Sequence, residues 1–189
     1  MIKPIFLIGA FFLAMIFAPF SAAAESVSKL SIPEFIRRHT ARSLPARWKH
    51  RAGEISKAIL EESRRYQFDP LLVVALIHTE SRFRPGARGR FGEVGLVQIK
   101  PSTARWITHR RITRKELFEP KLNIHVGLMY LNRLRNEAGP LYISAYNRGL
   151  AGALRRKDEV LTPHDYASRV RSKHRAIARA AIGEALTSL

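Results

Sequence analysis

The feature that most constrains the fold is the apolar run LLVVALI at residues 71–77. Asp69 followed by Pro70 is a favoured helix start, because the acid caps free amides and proline tolerates the first helical position. The run that follows is apolar on every side, which is typical of a helix buried at the centre of its domain. The alternative is a buried parallel strand. The helix start disfavours it, and so does the absence of alternating strand and helix patterns elsewhere in the sequence.

The predicted central helix ends in Glu80, where the apolar run gives way to a glycine-rich stretch at residues 84–95. A carboxyl group in a poorly solvated pocket has a raised pKa, so it holds a proton near neutral pH and can act as a general acid. The structural alternative is a helix-end glutamate paired with Arg82 or Arg84. Periodicity alone favours that ion pair.

The rest of the chain is predicted to be mainly helical. Apolar residues recur at helical spacing over residues 48–66 and 123–138, and Gly139-Pro140 closes the second of these helices. Thr162-Pro163 opens the last long helix. No stretch alternates as a strand does, so we expect a mainly α domain with a buried central helix and a glycine-rich loop or short hairpin beside a cleft.

The N-terminus has the three parts of a secretory signal: a positive start at Lys3, an apolar middle at residues 5–18 and small residues at 22–24. We predict a signal peptide over residues 1–24, cleaved after Ala24. The apolar middle is shorter than the roughly 20 residues that a membrane-spanning helix needs. We therefore expect no stable membrane span after cleavage.

Two regions follow the predicted signal. Residues 25–46 contain two prolines and no long periodicity, so they are predicted to form an N-terminal arm with one helical turn after Pro33. Residues 47–189 are predicted to form one domain. The chain has no cysteine, so it must be stable without disulfides, and a bacterial periplasm or cell exterior suits this.

The chain is strongly basic. Its formal charge is +18, and because the signal removes only Lys3 the mature chain keeps +17. Such a charge favours polyanions such as nucleic acid, anionic lipid or a polymer carrying carboxylates, and the export signal favours the cell envelope. The alternative is that the basic residues serve solubility alone.

Several catalytic classes are disfavoured. His78 and Glu80 form the first half of a zinc deaminase signature, but the required cysteines do not exist. The HExxH metal motif and the GxSxG nucleophile motif do not occur in the sequence. We expect neither a metal nor an organic cofactor.

Five stretches resemble, in order and spacing, the successive motifs of the lytic transglycosylase domain of the soluble type, a family related in fold to goose-type lysozyme. The resemblance runs from about Trp48 to about Val170. The stretches are ESRFRP (80–85), GEVGLVQIKPSTA (92–104), LNIHVGLMYL (122–131), SAYNRG (144–149) and DYASRV (165–170).

The resemblance implies cleavage of the β-1,4 bond between N-acetylmuramic acid and N-acetylglucosamine in peptidoglycan, with a 1,6-anhydro end formed instead of adding water. Glu80 aligns with the family's catalytic glutamate, which acts as acid and then as base. The substrate's N-acetyl group is expected to stabilise the charge at C1, so a second carboxylate is not required.

The same resemblance implies substrate-binding residues. Gln98, Tyr146 and Asn147 match positions that line the saccharide cleft. Tyr146 is expected to hydrogen-bond or orient Glu80, and Asn147 to bind an acetamido or hydroxyl group. Tyr166 matches the tyrosine of the last motif and is expected to support the site from behind.

Three residues depart from the family pattern. Val97 replaces a methionine, which implies a modest change in packing or cleft lining. Gly89 stands where the family commonly has a serine, which implies that another donor replaces the hydroxyl or that turnover is slower. Arg148 replaces a small residue and adds a charge that we expect to meet a carboxylate of a stem peptide.

The leading hypothesis is a periplasmic lytic transglycosylase acting on peptidoglycan glycan strands. Its size resembles specialised members that open the wall for a secretion or surface apparatus, which is an analogy. Alternatives are a lysozyme-type muramidase that hydrolyses the bond, and a degenerate scaffold that binds glycan without turnover. A nucleic-acid partner is not expected, because the signal and the missing binding motifs oppose it.

Overall fold

The computed structural model describes residues 20–158 and 162–187, with side chains from residue 32 onward. Most of the predicted signal peptide, residues 1–19, lies outside the described residues. Within the described ranges the chain forms eight α-helices and no sheet, which confirms the mainly helical fold. They are α1 Phe20–Ser43, α2 Ala52–Arg65, α3 Pro70–Ser81, α4 Pro101–Thr108, α5 Pro120–Ala138, α6 Tyr142–Arg148, α7 Leu150–Arg155 and α8 Tyr166–Leu186.

The central helix of the domain is α3, as the sequence predicts. Asp69 caps it through an Oδ1 atom that accepts a hydrogen bond from the Leu71 amide at 2.8 Å. Residues 73–77 are buried, and α3 packs most extensively against α8. In the part of the chain that the structure describes, no helix is both long and apolar enough to cross a membrane.

The segment predicted to be an irregular N-terminal arm forms helix α1 instead. Pro33 is accommodated inside this helix, although an internal proline removes a backbone hydrogen bond and disfavours helix. Phe35 and Ile36 are buried in the core, and α1 packs on α2 and α8. Tertiary burial of these apolar side chains therefore overrides the local helix-breaking signal.

The hydrophobic core has two parts. The larger cluster joins buried residues of α1, α2, α3, α5, α6, α7 and α8 with Leu96 and Val97 of the segment between α3 and α4. The smaller cluster lies beneath α4 and consists of Val94, Ile99, Ala104, Ile112, Leu117 and Val126. Tyr130 of α5 packs against both clusters and connects them.

Between α3 and α4 lies an irregular segment, residues 84–99, here called the glycine loop. Isolated antiparallel bridges pair Val94 with Arg88 and with Ile99. The Gly89 amide donates to the Glu93 carbonyl at 2.8 Å, which closes a tight turn. The expected short hairpin thus takes the form of single bridges around one turn.

Candidate active site

Glu80 lies in the last turn of α3, just before an abrupt change of chain direction. Arg82 and Phe83 adopt φ angles of 52° and 55°, in the left-handed region that non-glycine residues rarely occupy. Phe83 is fully buried, with its ring 5.7 Å from that of His39 and 6.1 Å from that of His78. The buried ring anchors the turn, and strain of this kind is characteristic of functional sites.

The Glu80 carboxyl is largely buried and contacts Tyr166, whose phenol hydroxyl donates a hydrogen bond to Oε1. Burial raises the pKa of Glu80 to about 7, with a further upward contribution from the negative charge of Glu93. The Tyr166 hydrogen bond and the charge of Arg169 oppose that rise. Near neutral pH both the acid and the carboxylate forms of Glu80 are therefore populated.

The helix-end ion pair that periodicity favours does not describe the structure. The Arg84 Nε atom donates to the Ser81 carbonyl at 2.9 Å, and Arg82 is exposed. The partner of Glu80 is a tyrosine from α8, 86 residues further along the chain. A local ion pair would have kept the pKa of Glu80 low, whereas burial raises it.

One of the two tyrosines of the site makes a different contact from the one expected. Tyr146 does not orient Glu80: its buried hydroxyl donates to the Val97 carbonyl at 2.9 Å. Tyr166, expected to support the site from behind, is the residue that contacts the carboxyl. Tyr166 reaches Glu80 because α8 packs directly on α3.

The remaining predicted binding residues lie on two different segments. Gln98 has a left-handed φ of 49°, and its Nε2 atom donates to the Gly95 carbonyl at 2.9 Å. Asn147 is exposed at the end of α6. That these two side chains bind glycan remains a prediction.

Asn123 is a structural residue of the site that the sequence reading missed. It is fully buried; its Oδ1 atom accepts from the Val97 amide, and its Nδ2 atom donates to the Val94 and Leu117 carbonyls, all at 2.9 Å. Gly95 has φ +82°, and a Cβ there would lie 2.3 Å from the Asn123 amide nitrogen. The sequence feature that could have identified Asn123 is a polar residue at a position of α5 that faces the core.

Two departures from the family pattern find a structural role. Val97 is fully buried, and a Cβ at Gly127 of α5 would lie 2.3 Å from its Cγ2 atom. Val97 is thus a core residue where the glycine loop approaches α5 closely. Arg148 pairs with Asp165 at 2.8 Å, directly before Tyr166, so it holds the start of α8 and is not a free charge awaiting a stem peptide.

A mainly helical domain with a buried glutamate beside an irregular glycine loop has the architecture of the lysozyme-like proteins. The family model described as "Transglycosylase SLT domain" matches residues 57–167, which is more than half of the sequence. The chain belongs to this family, which confirms the resemblance read from its motifs.

Curated relatives share this domain. Membrane-bound lytic murein transglycosylase C of Mannheimia succiniciproducens is 33% identical over 121 residues, a match that covers 56% of this chain and 34% of that protein. Membrane-bound lytic murein transglycosylase E of Buchnera aphidicola is 31% identical over 96 residues, covering 48% of this chain and 42% of that protein. The chain therefore spans less than half the length of these relatives.

A solved structure shows the same fold. The X-ray structure of the lytic transglycosylase Slt from Pseudomonas aeruginosa superposes with a TM-score of 0.59 at 21% identity. The match covers 66% of this chain and 24% of that one. At this identity the likeness establishes the fold, and the predicted lysozyme-like helical architecture is confirmed.

Proposed function

We propose that this protein is a peptidoglycan lytic transglycosylase, which cleaves the β-1,4 bond between N-acetylmuramic acid and N-acetylglucosamine and leaves a 1,6-anhydro end. The observation that carries this proposal is the Glu80 carboxyl, with a pKa near 7 and a tyrosine hydroxyl on one oxygen. Membership of the transglycosylase family and the names of the curated relatives support it.

Glu80 performs both proton transfers in this reaction. In its neutral form it protonates the glycosidic oxygen as the bond from that oxygen to C1 breaks. The resulting carboxylate then takes the proton of the C6 hydroxyl while O6 bonds to C1, so the acid is restored and no water is consumed. A pKa near the working pH suits a group that must alternate between acid and base.

Tyr166 positions the reacting carboxyl. Its hydroxyl donates to one oxygen of Glu80, so the other oxygen is left for the substrate. When Glu80 becomes a carboxylate, the same hydrogen bond stabilises the charge. Arg169 of α8, whose guanidinium lies 5.9 Å from the centre of the Tyr166 ring, adds a weaker stabilising charge.

The proposed substrate is the glycan strand, with Gln98 and Asn147 as saccharide-binding residues and Tyr146 as their support. The proposed location is the periplasm, in keeping with the predicted signal peptide and the names of the murein-active relatives. The basic charge suits a polymer that carries carboxylates. Service to a secretion or surface apparatus is a further proposal that rests on the sequence analogy.

The deciding experiment is digestion of purified sacculi with the mature protein, followed by mass spectrometry of the soluble products. We expect anhydro-muropeptides from the wild type and none from Glu80→Gln. Glu61→Gln serves as the matched control, because Glu61 lies on α2, paired with Lys57 at 3.8 Å.

Other products would identify the alternatives. Reducing-end muropeptides would show a muramidase that uses water in place of the C6 hydroxyl. Retention of the wild type on sacculi without any soluble product would show a glycan-binding scaffold. Either result contradicts the proposal.

A further inference from the structure

A second concave surface lies between α4 and α5, here called the α4–α5 groove. It has a volume of about 400 Å³, which is within the range of small-molecule sites in proteins. None of the residues that line it belongs to the site around Glu80. They are Ile107 of α4 and Met129, Asn132, Arg133, Asn136 and Glu137 of α5.

Trp106 of α4 borders this groove with a ring that is not packed into the core. Its residue is 48% exposed, and it belongs to neither of the two hydrophobic clusters. The guanidinium of Arg133 lies 4.8 Å from the centre of the indole, and Arg133 is itself held by Glu137 at 2.6 Å. The Tyr130 ring meets the indole edge to face at 6.2 Å. The indole is therefore supported from two sides and half open to solvent.

The polar lining of the groove is electrically balanced, although the chain as a whole carries a charge of +18. Its one cation, Arg133, is paired with its one anion, Glu137. Asn132 accepts a hydrogen bond from Arg135 at 2.7 Å through Oδ1. Among the described residues, no partner holds its Nδ2 atom or the side-chain amide of Asn136. Free amides beside a neutralised ion pair favour an uncharged ligand that donates and accepts hydrogen bonds.

We propose that the α4–α5 groove is a second saccharide site, which binds a neutral N-acetylated amino sugar. The apolar face of the pyranose ring packs on the indole of Trp106. Its hydroxyl and acetamido groups bond to the amides of Asn132 and Asn136, and the acetamido methyl group packs against Ile107 and Met129. That this sugar belongs to a peptidoglycan strand rests on the proposed function; that the groove binds such a sugar does not.

The groove is linked to the proposed saccharide cleft through aromatic rings. Tyr130 contacts Trp106 on one side, and its ring lies 5.5 Å from that of Tyr146 on the other. A glycan strand is long enough to be held at both places. A second contact on one strand raises the effective concentration of the bond to be cleaved. It therefore strengthens binding of the polymer and leaves the chemical step unchanged.

The test is an NMR titration of the mature Glu80→Gln protein with N,N′-diacetylchitobiose, a neutral disaccharide. The chain has two tryptophans, so the Trp106 indole signal is assigned by its loss in Trp106→Phe. We expect this signal and the side-chain amide signals of Asn132 and Asn136 to move with a common dissociation constant. The indole of Trp48, whose Nε1 atom is buried, is the internal control and should not move.

Substitution of the indole measures its share of the binding. In Trp106→Ala the affinity, followed through the Asn136 amide, should fall at least about ten-fold. Trp106→Phe keeps a smaller aromatic face and should lose about two- to three-fold. Ile182→Ala is the control, because Ile182 of α8 is an apolar residue that is 61% exposed; it should bind like the parent. Unmoved groove signals, or parental affinity in a folded Trp106→Ala, overturn the proposal.

An acidic peptide tests the opposite chemistry. L-alanyl-γ-D-glutamyl-L-alanine, which has the charge of a stem peptide, is titrated into the same protein and into Glu137→Gln, where Arg133 has lost its anion. A saccharide site predicts that the Trp106 signal of the parent stays in place. If the peptide moves this signal, and binds more tightly in Glu137→Gln, the groove is an anion site and the proposal is wrong.

Activity on sacculi separates this inference from the proposed function. Trp106→Ala should raise KM about 3- to 10-fold and leave kcat unchanged, because the groove holds the strand away from the bond that is cleaved. If the wild type releases no anhydro-muropeptide, the proposed function fails, while the NMR titration still decides whether the groove binds sugar. If the wild type is active and the groove signals stay in place, only the inference about the groove fails.

Discussion

The two sides of the site are built in different ways. On one side is the helical wall, formed by Glu80 of α3 and Tyr166 of α8, which rests on the larger hydrophobic cluster. On the other is the glycine loop, which contributes Val94 and Ile99 to the smaller cluster and Leu96 and Val97 to the larger one. Two hydrogen bonds of Asn123 tie this loop to α5. The helical wall is set by packing, and the loop by packing together with a polar residue inside the core.

The difference determines how each side tolerates change. A packed helical interface spreads its free energy over many side chains, so loss of a single polar contact there affects chemistry more than folding. The loop depends on a few buried hydrogen bonds, and a broken one leaves groups unsatisfied in the interior. We therefore expect substitutions in the loop to act first on stability, and those in the helical wall to act first on proton transfer.

The largest expected effect is from Gly95→Ala in the glycine loop. The added methyl group would collide with Asn123 and would require a left-handed φ of +82°. We expect the free energy of unfolding to fall by about 3–5 kcal/mol, measured by denaturant unfolding.

Gly92→Ala is the matched control for that collision. Gly92 has φ +90°, but a Cβ there meets nothing within 4 Å. In this variant the free energy of unfolding should fall only by the cost of placing alanine in a left-handed backbone conformation, about 1–2 kcal/mol. Equal losses at the two glycines would mean that the approach of the loop to Asn123 is unimportant.

Asn123→Ala should rank next, with a loss of about 2–4 kcal/mol, because one backbone amide and two carbonyls lose their buried partner. Asn132→Ala, on the partly exposed face of the same helix, should cost less than about 1 kcal/mol. Thermal or denaturant unfolding of both variants checks the difference. A similar loss for both would contradict the role of Asn123 in fixing the loop.

The helical wall predicts a pH dependence of stability. Folding raises the pKa of Glu80 from 4.5 to about 7, so the unfolded chain releases this proton first. The contribution of Glu80 to the free energy of unfolding is fully present below about pH 4.5. It falls by about 2–3 kcal/mol as the pH rises through about 7. Glu80→Gln lacks this titration.

The difference between wild type and Glu80→Gln isolates this contribution. The free energy of unfolding of the wild type, relative to the variant, should fall between pH 4.5 and 7.5. The pKa values of His39 and His78 are lowered, chiefly by burial, so both destabilise the fold in acid; that effect is common to the two proteins and cancels. A flat difference curve would show that Glu80 is not buried in solution.

The smallest expected effect is from Tyr166→Phe, which removes one hydroxyl and keeps the packing. Because the hydrogen bond lowers the pKa of Glu80, the alkaline limb of the activity profile should move up. Activity at its optimum should fall about 3- to 10-fold as the carboxyl loses its orientation. Tyr142→Phe, a partly buried tyrosine on α6, is the control and should leave the profile in place.

The sequence predicts the helical wall better than the loop. Asp69-Pro70 and the apolar run are local signals, and they locate α3 and Glu80 correctly. The Tyr166 contact bridges 86 positions, and the Asn123 bonds to the loop bridge 26 and 29, so periodicity carries no information about them. Family motifs identify Tyr146 and Tyr166 as site residues but do not say which of them contacts the acid.

In the N-terminal segment a local sequence signal predicts less helix than the structure contains. Pro33 predicts a break in the helix, but α1 continues through it because Phe35 and Ile36 are buried in the core. Gly89 is a similar case: in the sequence it is a missing hydroxyl, whereas in the structure a Cβ there would lie 2.3 Å from the Oε2 atom of Glu93, which occupies that space.

The placement of Tyr166 on α8 has a consequence for the order in which the protein matures. A ribosome has completed α1 to α7, Glu80 included, before it makes the helix that covers this carboxyl. Until α8 docks on α3, the Glu80 carboxyl lacks its Tyr166 partner and the burial that α8 provides. The surroundings that raise the pKa of Glu80 are thus complete only once α8 has docked on α3.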